Sequence, residues 1–313
     1  MTITQLEYIV ALSRYENFSE ASKHCFVTQP TLSIQVQKLE DELEVIIFDR
    51  SKKPLKPTEI GKKIIEQARI IIQESKRIEE ILSESKNVLE GEFRLGIIPS
   101  VSVSLLPLFL KTFTERYPKI KLVLSELQTV DMLEKLKNEE IDAGIASTPL
   151  GDPQLIEKTL YLEPFYLFIH PGNPLFQKKA IGESDLINQD LLLMSEGHCF
   201  RNQVTQICKL RKNKGIYFES GNFQTLISLV EQNIGITLLP SLVVDSIKSP
   251  DLKKMVKKIA GTILSREISL IYRRKHLKEG INAALEKIII SSLPSSLLQI
   301  NKEEQKIISP KIV

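Results

Sequence analysis

The chain has 313 residues, 42% hydrophobic and 26% charged, which is enough for two or three packed units and unlike a disordered or fibrous protein. A net charge of +3 is too small to point to nucleic acid, so any DNA-binding reading must rest on motif and on local placement of charge. The opening Met1-Thr-Ile-Thr-Gln-Leu-Glu7 has no basic stretch ahead of an apolar run, and no apolar segment approaches the roughly 20 residues that span a bilayer. A cytoplasmic location without membrane contact is expected.

Residues 4–15 place Leu6, Ile9, Val10 and Ala11 on one helical face. Asn17-Phe18-Ser19 breaks that pattern, and Ser19 is the expected N-cap of a second short helix running to Cys25. Thr28 and Pro30 then suit the start of a third helix, in which Leu32, Val36, Leu39 and Leu43 recur at helical spacing. Residues 46–50 read as a short strand, followed by the basic turn Ser51-Lys-Lys-Pro-Leu-Lys-Pro57, and Thr58 caps what comes next. Residues 1–58 are therefore expected to form a winged helix-turn-helix. From 59 to 90, Ile60, Ile64, Ala68, Ile71, Ile78, Ile81 and Leu82 predict one long linker helix, ended by Gly91, that wants a partner helix.

Beyond Gly91, short Val/Ile/Leu-rich strands alternate with amphipathic helices, which predicts an α/β domain with a mainly parallel sheet. The pattern restarts after Pro164 and around Arg266–Ile271. Two lobes are expected within residues 91–290, one of about 91–164 with 267–290 and one of about 165–266. The tail, 291–313, is polar, Pro-broken and rich in Lys and Glu, and is expected to be partly disordered.

Three cysteines occur. Cys25 lies among Ala21, Phe26 and Val27 and reads as a small core residue. Cys199 and Cys208 stand nine positions apart, and three readings stay open: buried apolar residues, metal ligands with His198, or a reactive thiol with a resolving partner. If residues 200–207 are helical, nine steps carry Cys208 about 13 Å along the axis and about half a turn round. A disulfide needs Cα atoms within about 7 Å, so a bond here requires the helix to unwind. His24, His170 and His276 are isolated and read as surface or packing residues.

The second helix of a helix-turn-helix enters the major groove with short polar side chains near its start. Gln29, Pro30, Thr31, Ser33, Gln35 and Lys38 stand there, and Arg50, Lys52, Lys53 and Lys56 in the wing can neutralise phosphates. Each alone reads equally well as a solvated polar face. The set, in this helix order and with this wing, favours DNA.

The run Val27-Thr-Gln-Pro-Thr-Leu-Ser-Ile-Gln-Val-Gln-Lys-Leu-Glu-Asp-Glu-Leu43, with Ile47-Phe-Asp-Arg50 and Leu55-Lys-Pro-Thr58, resembles the LysR-type transcriptional regulators. Leu95-Gly-Ile-Ile-Pro99, Ile141-Asp-Ala-Gly144 and Gly235-Ile-Thr-Leu-Leu-Pro240 resemble that family's two-lobed, periplasmic-binding-protein-like effector domain. Glu196-Gly-His-Cys-Phe-Arg201 with Cys208 is similar to its peroxide-sensing, OxyR-like branch, and the likeness covers about residues 1–290. It implies a homotetramer built as a dimer of dimers, double-stranded promoter DNA of antioxidant genes as partner, RNA polymerase as a further partner, and no cofactor or metal. Carried over, Cys199 would be the peroxide-reactive thiol and Cys208 the resolving one, with Ser100, Thr129, His198 and Arg266 around the peroxide. Ser100 stands where the branch usually has Thr; Ile34 and Gln37 replace a frequent Gly and Arg, and Glu44 replaces a Gly that takes a left-handed cap, so a different turn is expected there.

The leading expectation is a transcription factor that senses hydrogen peroxide. The alternative within the family is a regulator that binds a small metabolite between the lobes without redox chemistry. An enzyme that turns over peroxide is a third class, but such an enzyme has no use for a winged helix-turn-helix and a long pairing helix, so the chain is expected not to be an enzyme.

Overall fold

The computed structural model describes the chain apart from residues 86–88, 188, 209–218, 275–277, 300–301 and 311–313; His276 lies outside the described residues. The chain falls into two units, Met1–Val88 and Leu89–Val313.

In the first unit, helices α1 (Ile3–Tyr15), α2 (Phe18–His24) and α3 (Gln29–Leu43) precede the antiparallel pair β1 (Phe48–Asp49) and β2 (Lys56–Pro57) and the long α4 (Glu59–Ser85). The cap of α2 is Asn17, two residues before the expected Ser19: its Oδ1 accepts from the backbone N–H groups of Ser19 and Glu20, and that pair of bonds fixes the start. Thr28 caps α3, with Pro30 in the first turn. Glu44 keeps the left-handed cap (φ 53°) despite its side chain, so the turn expected to differ does not. Leu6, Ile9, Leu12, Leu32, Val36, Leu39, Ile47 and Phe48 form the core. Cys25 is only partly buried at its rim, because Phe26 turns outward at φ 55° and stands 95% exposed. At Gly61 a Cβ would lie 2.1 Å from the Ile47 carbonyl oxygen, so only glycine lets α4 start this close to the wing. On α4, Ile60 and Ile78 face solvent.

The second unit runs β3 (Gly91–Ile97), α5 (Pro99–Arg116), β4 (Ile120–Glu126), α6 (Thr129–Lys137), β5 (Ala143–Thr148) and the long β6 (Leu155–Phe168). It continues through α7 (Glu183–Leu186), β7 (Leu193–Met194), α8 (Cys199–Cys208), β8 (Glu219–Ser220), α9 (Phe223–Glu231), β9 (Thr237–Pro240), α10 (Ser241–Ser246), α11 (Pro250–Lys254) and β10 (Val256–Lys258). The long β11 (Ile263–Arg273), α12 (Glu279–Ser292), α13 (Ser295–Leu298) and β12 (Gln305–Ile307) complete it. Gly91 opens β3 rather than closing the linker helix, whose described part ends at Ser85.

The main sheet has the order β10-β6-β11-β5-β3-β4, with β9 on β6 and β12 on β11. It is mixed, not mainly parallel: β3 pairs in parallel with β4 and β5, but β6 and β11 run antiparallel to each other. The chain leaves on β6 and returns on β11, and that out-and-back path imposes the antiparallel pairing. Two hydrophobic cores meet along these strands. One contains Phe93, Leu95, Phe109, Ile145, Leu160, Tyr161 and Ile268; the other contains Phe165, Leu167, Phe200, Val204, Leu238 and Leu264. The changeover falls where Pro164 pairs with Ser265.

The partly disordered tail does not describe residues 302–310. Lys306 and Ile307 pair with β11, and Ile308 is buried at 7% exposure. The Ile307-Ile308 pair supplies apolar burial that the surrounding polar composition hides.

Candidate functional site

Cys199 is the first residue of α8 and Cys208 the last. The helix is continuous between them, so both thiols are free and stand about 13 Å apart along the axis. They also belong to different cores: Cys199 to the one that includes Val101, Met132 and Leu242, and Cys208 to the one that includes Leu186, Val204 and Ile207. A metal held by His198 and both cysteines meets the same separation. Among the described residues no group of three or more His, Cys, Asp or Glu side chains is placed to hold a metal ion.

Thr129 and Arg266 act on Cys199, and Arg266 in turn holds Ser100. Arg266 is fully buried on β11, opposite Glu163 of β6 in the strand register. Its Nε donates to Glu163 Oε2 at 2.9 Å and its Nη2 lies 2.7 Å from the same oxygen. Nη1 donates to Ser100 Oγ at 2.8 Å and Nη2 to the Ser100 carbonyl at 3.0 Å. Because Ser100 Oγ accepts from Arg266, its own hydrogen is left to point elsewhere. Glu163 Oε1 accepts from the Leu242 N–H, so the buried carboxylate is satisfied at both oxygens. The Thr129 hydroxyl at the start of α6 is buried with no oxygen or nitrogen partner, and it acts on the Cys199 sulfur, favouring the thiolate.

Burial nevertheless pushes the Cys199 thiol up, and this outweighs the opposing pull of Arg266, Thr129 and the N–H groups of Phe200 and Cys199. Cys208 is pushed up to about 12 by burial, with Glu183 adding to the shift. His198 is half-buried and burial lowers its pKa, so it is neutral at pH 7 and supplies no positive charge. Arg201 is not among the groups that act on the thiol; it pairs with Glu219 at 2.6 Å and lies 3.9 Å from Glu196. Of His198, Arg201 and Arg266, it is Arg266 that acts on Cys199.

Sequence reasoning missed Glu163, Gln128 and Gln203. A lone acid inside the apolar run Leu160-Tyr-Leu-Glu-Pro-Phe-Tyr-Leu-Phe168 is a readable sign of a buried, paired charge. Gln128 has no such sign. It fills the space beside Gly197 (φ +87°), where a Cβ would lie 2.2 Å from the Gln128 Oε1, and so it seats the loop that delivers His198 and Cys199. Of the isolated histidines, His24 stacks on Tyr15 with centroids 4.0 Å apart, and His170 Nδ1 accepts from the Gly172 N–H.

In the first unit, Gln29, Pro30, Thr31 and Lys38 are exposed on α3, and Ser33 and Gln35 are half-buried. Gln35 accepts from Gln5 Nε2 at 3.3 Å, which ties it to α1. Arg50 is partly structural: it donates to Glu40 at 2.9 Å, and Glu40 also accepts from the N–H groups of Ile47 and Phe48, holding the wing to α3. Lys52 and Lys53 are exposed, and Lys56 pairs with Glu16. A groove of about 1030 Å³ runs past Arg14, Asn17, Gln29, Arg50, Lys52 and Lys53, so Arg14 joins the residues expected from sequence.

Residues 3–62 match the bacterial regulatory helix-turn-helix protein, lysR family, and residues 86–288 match the LysR substrate binding domain. The chain belongs to the LysR family. Within it, the hydrogen peroxide-inducible genes activator of Dickeya chrysanthemi is 35% identical over 78% of this chain and 80% of its own length. The DNA-binding transcriptional dual regulator OxyR of Escherichia coli K12 is 31% identical over 91% of this chain and 96% of its own. Among solved structures, a full-length OxyR variant from Pseudomonas aeruginosa superposes with TM-score 0.75 at 31% identity, covering 93% of this chain and 98% of that one. A reduced OxyR from Porphyromonas gingivalis gives TM-score 0.60 at 26% identity, covering 68% of this chain and 99% of that one.

Proposed function

We propose that this chain is a redox-responsive transcriptional regulator that senses hydrogen peroxide through Cys199 and controls antioxidant genes from promoter DNA. The observation that carries the reading is the pair of free, buried thiols at the two ends of one helix, one of them acted on by Thr129 and by Arg266, which holds Ser100.

The thiolate of Cys199 attacks one peroxide oxygen, the O–O bond breaks, and hydroxide leaves with a proton to become water. The Ser100 hydroxyl, fixed as an acceptor toward Arg266, can donate to the peroxide, and the Thr129 hydroxyl, which has no oxygen or nitrogen partner, offers a second contact. Because burial keeps Cys199 largely protonated at rest, peroxide bound in the pocket must accept or relay that proton as the sulfur attacks. Cys208 then displaces water from the sulfenic acid to give the disulfide. Two thiols and one peroxide thus give one disulfide and two waters. The bond cannot close over an intact α8, so oxidation unwinds it, and the altered sensor unit changes DNA binding. The exposed Ile60 and Ile78 on α4 support association with further copies, which we read as a dimer of dimers.

A metabolite carboxylate would need a cation with its hydrogen-bonding edge open, yet Arg266 is already engaged by Glu163 and Ser100. That favours peroxide, an uncharged ligand that needs hydroxyls. The test is non-reducing mass spectrometry after mild peroxide, together with DNA footprints of wild type and Cys199→Ser. A Cys199–Cys208 disulfide and a footprint that changes only in wild type are expected. A folded, DNA-binding protein without that disulfide overturns the reading.

A further inference from the structure

The end of the chain makes an arrangement that the redox chemistry does not by itself require. β12 extends the sheet beyond the end of β5: β5 leaves β11 at Glu267, and Gln305, Lys306 and Ile307 pair in parallel with Ile263, Leu264 and Ser265. The ladder runs on one residue, with the Ile308 N–H donating to the Ser265 carbonyl at 2.8 Å. From there the tail is gripped by α8. Gln203 Nε2 donates to the Ile308 carbonyl at 2.6 Å, and Gln206 Nε2 to the Ser309 carbonyl at 3.0 Å. Gln203 is itself fully buried, with a second bond to Ser147 Oγ at 3.0 Å. Ile308 packs into the core that holds Phe200, Val204, Ile207 and Cys208. Lys306 pairs with Glu183 of α7 at 3.4 Å.

We propose that the edge of β11 and the flank of α8 form a binding site for an extended apolar peptide, filled in the thiol state by residues 305–309 and vacated when Cys199 joins Cys208. This deepens the disulfide reading and rests on it. Gln203 and Gln206 are one turn apart on a single face, a spacing that exists only in a helix. Both lie between the two cysteines, so unwinding the segment to join the sulfurs separates the amides that hold adjacent carbonyls of the tail. Ile308 loses its apolar neighbours in the same step. What remains is the edge of β11, a strand edge of the kind that takes an extended segment through main-chain hydrogen bonds, while the side-chain pocket returns only with the helix. Linkage makes the effect reciprocal: whatever fills the site favours the helical, thiol form.

The test compares the full chain with one ended after Glu304. In the full chain, peroxide should give the Cys199–Cys208 disulfide by mass spectrometry and at least about tenfold faster hydrogen exchange at residues 305–309, the size that two side-chain hydrogen bonds contribute. The shortened chain should need about tenfold more dithiothreitol to reduce its disulfide. Adding the peptide Gln-Lys-Ile-Ile-Ser-Pro in trans should restore the full-chain midpoint. Should the shortened chain fail to fold, the double variant Gln203→Met, Gln206→Ala of the full chain carries the same expectation. A disulfide that forms with residues 305–309 still protected overturns the proposal and leaves the redox reading standing, as does a midpoint unmoved by both changes. Absence of any disulfide overturns both.

Discussion

Cys199 and Cys208 share ten residues of helix but not an environment. Cys199 begins α8 beside Arg266, Thr129 and two helical N–H groups, each of which favours the thiolate against the cost of burial. Cys208 ends the helix in an apolar core, where burial and Glu183 both favour the thiol and push it up to about 12. Burial is common to both sites, so what separates a reactive thiol from a waiting one is the polar groups aimed at it. Geometry adds that Cys208 must leave its core to react, because Cys199 stands at the other end of the helix, about 13 Å away along the axis.

The largest effects should come from removing one thiol at a time. Cys199→Ser abolishes the response to peroxide altogether. Cys208→Ser leaves Cys199 to form a sulfenic acid, trapped by a dimedone-type probe and read as its mass adduct, with no disulfide. Equal loss of the adduct in both variants would erase the distinction between the two ends. Next, Arg266→Ala leaves the Glu163 carboxylate buried without its cation and should cost about 3–5 kcal/mol in urea unfolding, while slowing reaction at Cys199. The double variant Glu163→Gln, Arg266→Gln should recover much of the stability and none of the rate.

A smaller effect concerns pH. The Cys208 pKa is raised in the fold, so its contribution to stability is complete below the ordinary value of 9.0 and is lost as pH rises from there toward about 12. Unfolding free energy should fall by up to about 1.4 kcal/mol per pH unit across that window from this group, less in Cys208→Ser. A pH-independent difference between the two proteins would contradict the burial argument. Gly197→Ala should cost about 1–3 kcal/mol from backbone strain. Gln128→Ala relieves the clash but not the strain, which separates the two causes. Smallest is Lys53→Ala, which should weaken promoter binding evenly across sequences and lower the salt slope by about one, read by binding titrations at several salt concentrations.

Much of this was legible in the residues, and what was hidden has physical reasons. Helix spacing and caps such as Thr28 and Thr58 are local, so α3, the wing and the start of α4 could be placed without a structure. Cys199, Ser100, Thr129 and Arg266 were reachable because a family pattern marks them, though only the fold brings them together from four separate elements. Four features could not be read in advance. The mixed sheet follows from the path of β6 and β11, not from any short stretch of sequence. The lowered pKa of His198 comes from burial, and the engagement of Arg201 depends on Glu219, 18 positions away. The tail looked polar because the two isoleucines that anchor it are flanked by Lys and Glu, and their partners lie 40 and more positions back in β11 and more than 100 back in α8.

The central claim is that joining the two thiols and keeping α8 helical are mutually exclusive. Hydrogen exchange over residues 199–208, followed before and after mild peroxide with the disulfide confirmed by mass in the same sample, tests it most directly. Protected amides in the thiol form and lost protection in the disulfide form are the predicted result. A confirmed Cys199–Cys208 disulfide with α8 still protected along its length would contradict it.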